Sequence, residues 1–151
     1  MDPFMRKIGF VTISLSFLLL ISLVLNVYYY NNGQKYERKV DAEFLSNLKD
    51  INAGFKFFKE DPKKVSMNIR SSSAYIGSAR ALSKITSFSK QNKILFSSLS
   101  ELNVFFSSFP EEKILQNLNK ISEYTKKLHD NPSDTRISEE LSNYLFQIEN
   151  Q

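Results

Sequence analysis

Hydrophobic residues form one unbroken block near the start of the chain and recur at regular intervals after it. Residues 8–30 form the block, and no charged side chain occurs between Lys7 and Lys35. A helix rises about 1.5 Å per residue, so roughly 20 residues cross the hydrocarbon core of a bilayer, which is about 30 Å thick. The block therefore predicts a transmembrane helix, preceded by a short tail at residues 1–7.

The length and the end of the block favour a retained signal-anchor over a cleaved signal peptide. The apolar region of a signal peptide runs to about 15 residues and is followed by a pair of small residues. This block is longer and ends in three consecutive tyrosines at positions 28–30. Tyrosine suits the membrane–water boundary, where its ring stays apolar and its hydroxyl reaches water. We expect the helix to stay attached, with translation starting at Met1 or Met5.

The charges on either side of the block predict its orientation. Arg6 and Lys7 adjoin it on one side, whereas Lys35, Arg38 and Lys39 lie farther away on the other side and are mixed with acidic residues. Positive charge next to a span favours the cytoplasmic side of the membrane. We expect a cytoplasmic N-terminus and an extracytoplasmic domain at residues 31–151, with which the absence of cysteine is compatible.

Beyond the block, apolar residues recur in steps of three and four, which is the spacing of amphipathic helices rather than strands. The first helix continues from the block, with residues 31–33 as a candidate break. Asp61-Pro62 is expected to end it and to begin a second helix that reaches Lys90. The predicted core positions of all the helices are Tyr36, Val40, Phe44, Leu48, Ile51, Phe55, Phe58, Val65, Ile69, Ile76, Ala79, Leu82, Ile85, Leu95, Leu99, Leu102, Phe106, Phe109, Ile114, Leu118, Ile121, Thr125, Leu128, Ile137, Leu141, Tyr144, Leu145 and Ile148.

Three more helices follow. Asn92 is a candidate cap for the third, and Ser108 with Glu111 resembles a capping box that opens the fourth. Residues 130–134 form the clearest loop, ahead of the last helix. Short connections favour antiparallel neighbours. The sequence thus predicts an all-α fold, with one N-terminal transmembrane helix followed by an antiparallel bundle of four to five helices.

Small residues concentrate on the second helix, between positions 71 and 81. They predict the closest helix–helix contact of the bundle, and Gly54 and Gly77 are expected at close contacts or bends, because glycine costs a helix about 1 kcal/mol relative to alanine.

The pattern of chemically reactive residues indicates no enzyme. Ser-x-x-Lys occurs at Ser46 and at Ser87, but 21 serines and 15 lysines among 151 residues make about 2 such matches expected by chance. His129 is the only histidine, so it has no second histidine as a metal-ligating companion. The four glycines are scattered, which excludes a glycine-rich phosphate loop. We predict no catalytic or metal site, no cofactor and no small-molecule substrate.

The charged residues are unevenly distributed along the chain, and this distribution is more informative than the net charge. A net charge of +4 is too small for a dedicated nucleic-acid-binding protein. Residues 35–93 carry 13 Lys and Arg against 6 Asp and Glu, whereas residues 94–151 carry 5 against 9. Either the two halves attract each other, or a basic face meets anionic headgroups, cell-wall polymer or an acidic partner. The candidate basic face comprises Lys35, Arg38, Lys39, Lys56, Lys59, Lys63 and Lys64.

Within the block, most of the small and polar residues share one side of the helix, whereas Ser14 lies elsewhere. At about 100° per residue, five of them fall within an arc of about 140°. Such a face is what lipid-embedded helices use to pack against each other, although serine and threonine can also bond to their own backbone. We predict packing against another membrane protein or a second copy through Gly9, Thr12, Ser16, Ser22 and Asn26.

These features favour a membrane-anchored, non-catalytic helical protein that mediates protein–protein interactions. Phe, Ile, Asn, Lys and Tyr, which have AT-rich codons, supply 60 of the 151 residues and favour a low-GC bacterium as the source. Together with the membrane anchor, this predicts a location at the bacterial cell envelope. One alternative is an extracytoplasmic sensor or regulatory module that acts through a partner membrane protein.

A third interpretation is a fibre subunit. Residues 7–13, Lys-Ile-Gly-Phe-Val-Thr-Ile, resemble the cleavage site of type IV pilins, in which Gly-Phe opens a long apolar helix. Ser14 stands where that family has glutamate, and the helical pattern leaves no counterpart to the β-sheet of pilins.

Overall fold

A computed structural model describes the backbone of residues 3–60 and 64–150 and the side chains of residues 14–58 and 64–150. Within these ranges the protein has five α-helices and no strand, so the predicted all-α class is confirmed. A short 3-10 helix, Ser87–Lys90, lies between the second and third helices. The helices are α1 Pro3–Glu60, α2 Val65–Ser83, α3 Leu95–Ser108, α4 Glu111–Asp130 and α5 Thr135–Glu149.

The chain divides into two units, Met1–Tyr36 and Glu37–Gln151. α1 contributes to both and continues through residues 31–33, so the candidate break there is wrong. One glycine and two asparagines lower helix propensity by only about 1 kcal/mol or less each, which is too little to interrupt a helix.

The second unit is an antiparallel bundle. Helices α2, α3, α5 and α4 contact one another in that cyclic order. The chain reverses between α1 and α2, since Ser87 beyond the end of α2 donates to Asp41 in α1. At the opposite end, Ser66 near the start of α2 donates a hydrogen bond to Glu111 at the start of α4.

The core of this unit agrees closely with the periodicity of the sequence. Most predicted positions are buried, whereas Tyr36 and Ile85 are 63% and 52% exposed. Partly buried side chains at the edge of the core are Leu82, Phe109, Ile137 and Tyr144. Aromatic rings join α1 to α3, because Phe55 stacks on Phe106 with their centroids 5.4 Å apart.

α2 ends at Ser83, seven residues earlier than predicted. The Ser83 hydroxyl donates to the Arg80 carbonyl, and Thr86 adopts an extended backbone. The 3-10 helix then begins at Ser87, whose backbone N–H and hydroxyl both donate to the Asp41 carboxylate, at 2.8 and 2.6 Å. A side chain from α1 thus caps this turn, which explains why local sequence did not reveal the boundary.

Two predicted caps are wrong. α3 begins after Ile94 without a side-chain cap, because the Asn92 side chain points toward α5 instead. Ser108 is the last residue of α3, and α4 begins after Pro110, again without a side-chain cap. The predicted loop is confirmed at residues 131–134, since Asp130 is still the last residue of α4, and Asp134 caps α5 by accepting from the Arg136 N–H. The turn predicted at Asp61-Pro62 lies outside the described residues.

Candidate interaction surfaces

Residues 14–30 of α1 expose their apolar side chains on every side. Leu15, Phe17, Leu19 and Leu23 are each more than half exposed, and so are the three tyrosines at positions 28–30. One helix near the N-terminus is therefore long and apolar enough to span a membrane. A monomeric soluble protein rarely leaves so large a continuous apolar surface open to water.

Three residues of the predicted packing face have described side chains. Ser16, Ser22 and Asn26 are exposed and, because residues 14–30 are helical, share one side of α1. Gly9 and Thr12 precede the residues whose side chains are described, so the full predicted packing face is not tested.

The predicted basic face is only partly described. Arg38, Lys39 and Lys56 are exposed on α1. Lys64, just before α2, is also exposed, and its side chain interacts with another group of the protein. Lys35 is exposed in the N-terminal unit. The side chains of Lys59 and Lys63 lie outside the described ranges.

A basic stripe lies on the outer side of α1, opposite its buried side, and includes a lysine that sequence reasoning missed. At about 100° per residue, Arg38, Lys39, Lys49 and Lys56 fall within an arc of about 100°. The same arc holds the exposed small residues Ala42, Ser46 and Ala53, and Phe57, which is 54% exposed. Lys49 could have been found by plotting the whole helix rather than its charge clusters. We call this surface the basic stripe.

Each ion pair seen between described side chains joins two residues of the same half of the chain. Lys90 pairs with Glu37, and both belong to the basic half. Glu123 pairs with Lys120 and Lys127 on α4, at 2.9 and 2.8 Å, within the acidic half. The exposed charges thus leave each half with its own electrostatic character.

Among the described groups, the carboxyl of Glu123 has a strongly lowered pKa. Hydrogen bonds from Lys127 and then Lys120 lower the pKa of its carboxyl from 4.5 to about 2. The Asp134 carboxyl also has a lowered pKa, because the Arg136 guanidinium and backbone N–H both donate to it. These shifts have local structural causes, since each partner lies on the same helix or in its cap.

An open groove of about 460 Å³ lies between α3 and α5. Apolar side chains form its floor and walls, including Val104, Phe105, Phe109 and Phe146. Val104 and Phe146 are 51% and 68% exposed, so the groove presents apolar surface to solvent. Sequence reasoning did not predict this groove, because it needs side chains from two helices that are far apart in the chain.

The groove is acidic. Glu101 on α3 and Glu149 at the end of α5 are exposed at its edges, and its lining contains no lysine or arginine. The remaining lining residues are uncharged. An apolar groove bordered by carboxylates favours an amphipathic helix that carries positive charge.

Buried polar side chains join distant parts of the bundle. Asn92 is 1% exposed, and its Nδ2 donates to the Pro132 carbonyl at 3.0 Å and to the Ser138 hydroxyl at 2.8 Å. Thr125 on α4 donates to the Asn52 side chain on α1 at 2.7 Å. Their partners are all protein groups, so they hold the helices in place.

One of the two Ser-x-x-Lys sequences and the single histidine have structural partners. The Ser87 hydroxyl donates to Asp41 and Lys90 pairs with Glu37, so both ends of this Ser-x-x-Lys sequence are engaged elsewhere. His129 contacts the neighbouring Asp130 at 3.1 Å. Where side chains are described, no group of three or more His, Cys, Asp or Glu residues could hold a metal ion.

No protein-family model, curated protein or solved structure matches this chain.

Proposed function

We propose that this protein is a membrane-anchored, non-catalytic helical protein that mediates protein–protein interactions at a bacterial cell envelope. In this proposal α1 crosses the membrane near its N-terminus, with the N-terminus in the cytoplasm. The helical bundle lies outside the cytoplasm and presents its surfaces to other proteins.

The observation that carries the proposal is the exposed apolar surface of residues 14–30. Burying apolar surface contributes about 25 cal/mol per Å². None of the apolar window of this helix is buried within the protein, so this free energy is gained only when something else covers it. A bilayer can cover all sides of such a helix at once, which a protein partner on one side cannot do. The tyrosines at positions 28–30 then lie where the span would meet the headgroups.

The surfaces of the bundle support an interaction role. The basic stripe and the acidic groove are both exposed, and the groove holds apolar side chains that a partner could cover. Interfaces commonly combine an apolar centre with a polar edge.

Membrane fractionation tests the anchor. We expect the full chain to stay in the membrane pellet under alkaline carbonate extraction, and a variant with Leu19→Lys, Leu20→Lys and Leu23→Lys to lose this retention. A matched control with Lys84→Glu, Lys93→Glu and Lys126→Glu changes three exposed charges in the bundle and is expected to remain in the pellet. Recovery of the wild-type chain in the supernatant would contradict the proposal.

Crosslinking in intact membranes tests the interaction role. We expect the chain to form crosslinked species with other envelope proteins or with itself. Replacing Thr12, Ser16 and Asn26 together by leucine should remove those formed through the transmembrane helix. Leucine at Ser14, on the other side of that helix, is the matched control. An unchanged crosslinking pattern would exclude this face as a contact, and an absence of any specific crosslink would contradict the interaction role.

A further inference from the structure

We propose that the acidic groove between α3 and α5 binds the basic stripe on α1 of a second copy of this chain. The inference rests on the proposed function, because it needs copies anchored in one membrane. It names the partner of the groove and the surface that the partner uses.

The two surfaces are complementary in charge, and both expose apolar side chains. The groove has Glu101 and Glu149 at its edges and exposed apolar side chains within it. The basic stripe has Lys49 and Lys56 with the small residue Ala53 between them, which allows a close approach. Phe57 adds an exposed apolar ring at one end. Neither lysine belongs to an ion pair within the described side chains.

The surfaces also lie on different sides of the bundle, so one copy can use both. α1 touches α4 where Asn52 accepts from Thr125, and it approaches α2 at Gly54. It thus covers the side where α2 meets α4. The groove is on the side where α3 meets α5. Such a contact between unlike surfaces is heterologous, and it leads to a ring or an open row of copies.

The level of each residue along the bundle supports the match. α1 and α3 run in the same direction, and Phe55 stacks on Phe106. Lys49 lies six residues before Phe55, and Ser100 lies six residues before Phe106. Lys49 is therefore level with Ser100 and with its neighbour in the chain, Glu101. Phe57 is likewise level with the end of α3, near Phe109. A second copy displaced sideways without any axial shift therefore brings each lysine close to a carboxylate.

Anchoring in one membrane favours this arrangement. Confinement to one membrane raises the effective concentration of one copy around another, so a contact of modest affinity is sufficient.

Disulfide crosslinking in phosphatidylcholine vesicles tests the docking, because the full chain has no cysteine of its own. One preparation carries Ala53→Cys in the basic stripe, and the other carries Asn143→Cys in the groove. We expect the mixed disulfide to form about tenfold more than in a control mixture of Ala53→Cys with Asn119→Cys, which is exposed on α4.

Charge reversal identifies the contact. Glu101→Lys with Glu149→Lys in the groove chain should lower the crosslink by about tenfold, since like charges then face each other. Lys49→Glu with Lys56→Glu in the other chain should restore it. The matched control, Glu139→Lys with Glu140→Lys, changes exposed residues of α5 outside the groove and should have no effect. Circular dichroism and thermal unfolding verify that each variant folds.

Three results would overturn the docking. The first is a mixed disulfide no more abundant than in the control mixture, and the second is a crosslink that the reversed lysines do not restore. The third is a mixture dominated by disulfides between two copies of the same cysteine variant. Loss of the chain from the vesicles under alkaline extraction would instead contradict the proposed function. An anchored chain that fails only the crosslinking test leaves that function standing and removes the second copy as the occupant.

Discussion

Asn92 connects the turn after α2 with the turn before α5. Its amide donates to a backbone carbonyl at Pro132 and a hydroxyl at Ser138, and almost none of the side chain reaches solvent. Such a bond contributes little when complete but is costly to break, because its buried partners then lack hydrogen bonds.

We therefore expect Asn92→Ala to lower the free energy of unfolding by about 1–3 kcal/mol. Asn119→Ala on the exposed side of α4 is the matched control and should change it by less than about 0.5 kcal/mol. Urea denaturation measures both. Equal stability of the two variants would show that Asn92 has no anchoring role.

Glu123 shows how two lysines on one helix act on an exposed carboxylate. Its pKa is lowered to about 2, so its stabilising contribution is present above the unfolded value of 4.5 and is lost as the pH falls toward 2. We expect an NMR titration of this carboxyl to have its midpoint near 2.

Lys127→Met should raise that midpoint toward 4.5, because Lys127 is the largest cause of the shift. Lys126→Met removes a neighbouring exposed lysine that is not paired with Glu123, and it should leave the midpoint unchanged. A midpoint that moved equally in both variants would point to general charge screening instead.

At the scale of helices, packing distance decides what each glycine does. A Cβ atom on Gly54 would lie 2.9 Å from the Ser72 hydroxyl of α2, whereas one on Gly77 would lie 3.5 Å from the Asn103 side chain of α3. The small residues of α2 thus allow a close contact with α1, as their pattern indicated, and the glycine that this contact requires is Gly54.

Gly54→Leu should lower the free energy of unfolding by about 1–3 kcal/mol, since the larger side chain forces α1 and α2 apart. Gly77→Ala should raise it by up to about 1 kcal/mol through helix propensity. Gly33→Leu is the control, because nothing lies within 4 Å of the Cβ position there. Thermal unfolding compares the three variants, and a stable Gly54→Leu protein would contradict the close contact.

At the scale of the whole molecule, the second unit contains its own hydrophobic core. The buried cluster extends from Phe44 to Ile148 and includes residues of all five helices. A bundle of this size buries enough apolar surface to fold without disulfides.

A fragment that comprises Glu37–Gln151 should therefore fold in the absence of a membrane. We expect a helical circular dichroism spectrum, a cooperative thermal transition and a free energy of unfolding of about 5–15 kcal/mol. The full chain in detergent serves as the control and should unfold at a similar temperature. A fragment that binds hydrophobic dyes and unfolds gradually would show that the core needs the first 36 residues.

Prediction from sequence worked where the signal was local. Steps of three and four residues identified core positions such as Phe44, Leu99 and Leu141, because a helix turns by a constant angle and one side must face the interior. Prediction failed at α2's end and at Asn92, because Asp41 and Ser138, which fix these positions, are more than 40 residues away in the chain.

By itself, the sequence determined that this chain has one apolar helix long enough to cross a membrane and a series of amphipathic helices after it. Both follow from the order of apolar and polar residues along the backbone. Only the tertiary structure decided that Glu101 and Glu149 border one groove. That property depends on how helices distant in the chain pack against each other, which no local pattern records.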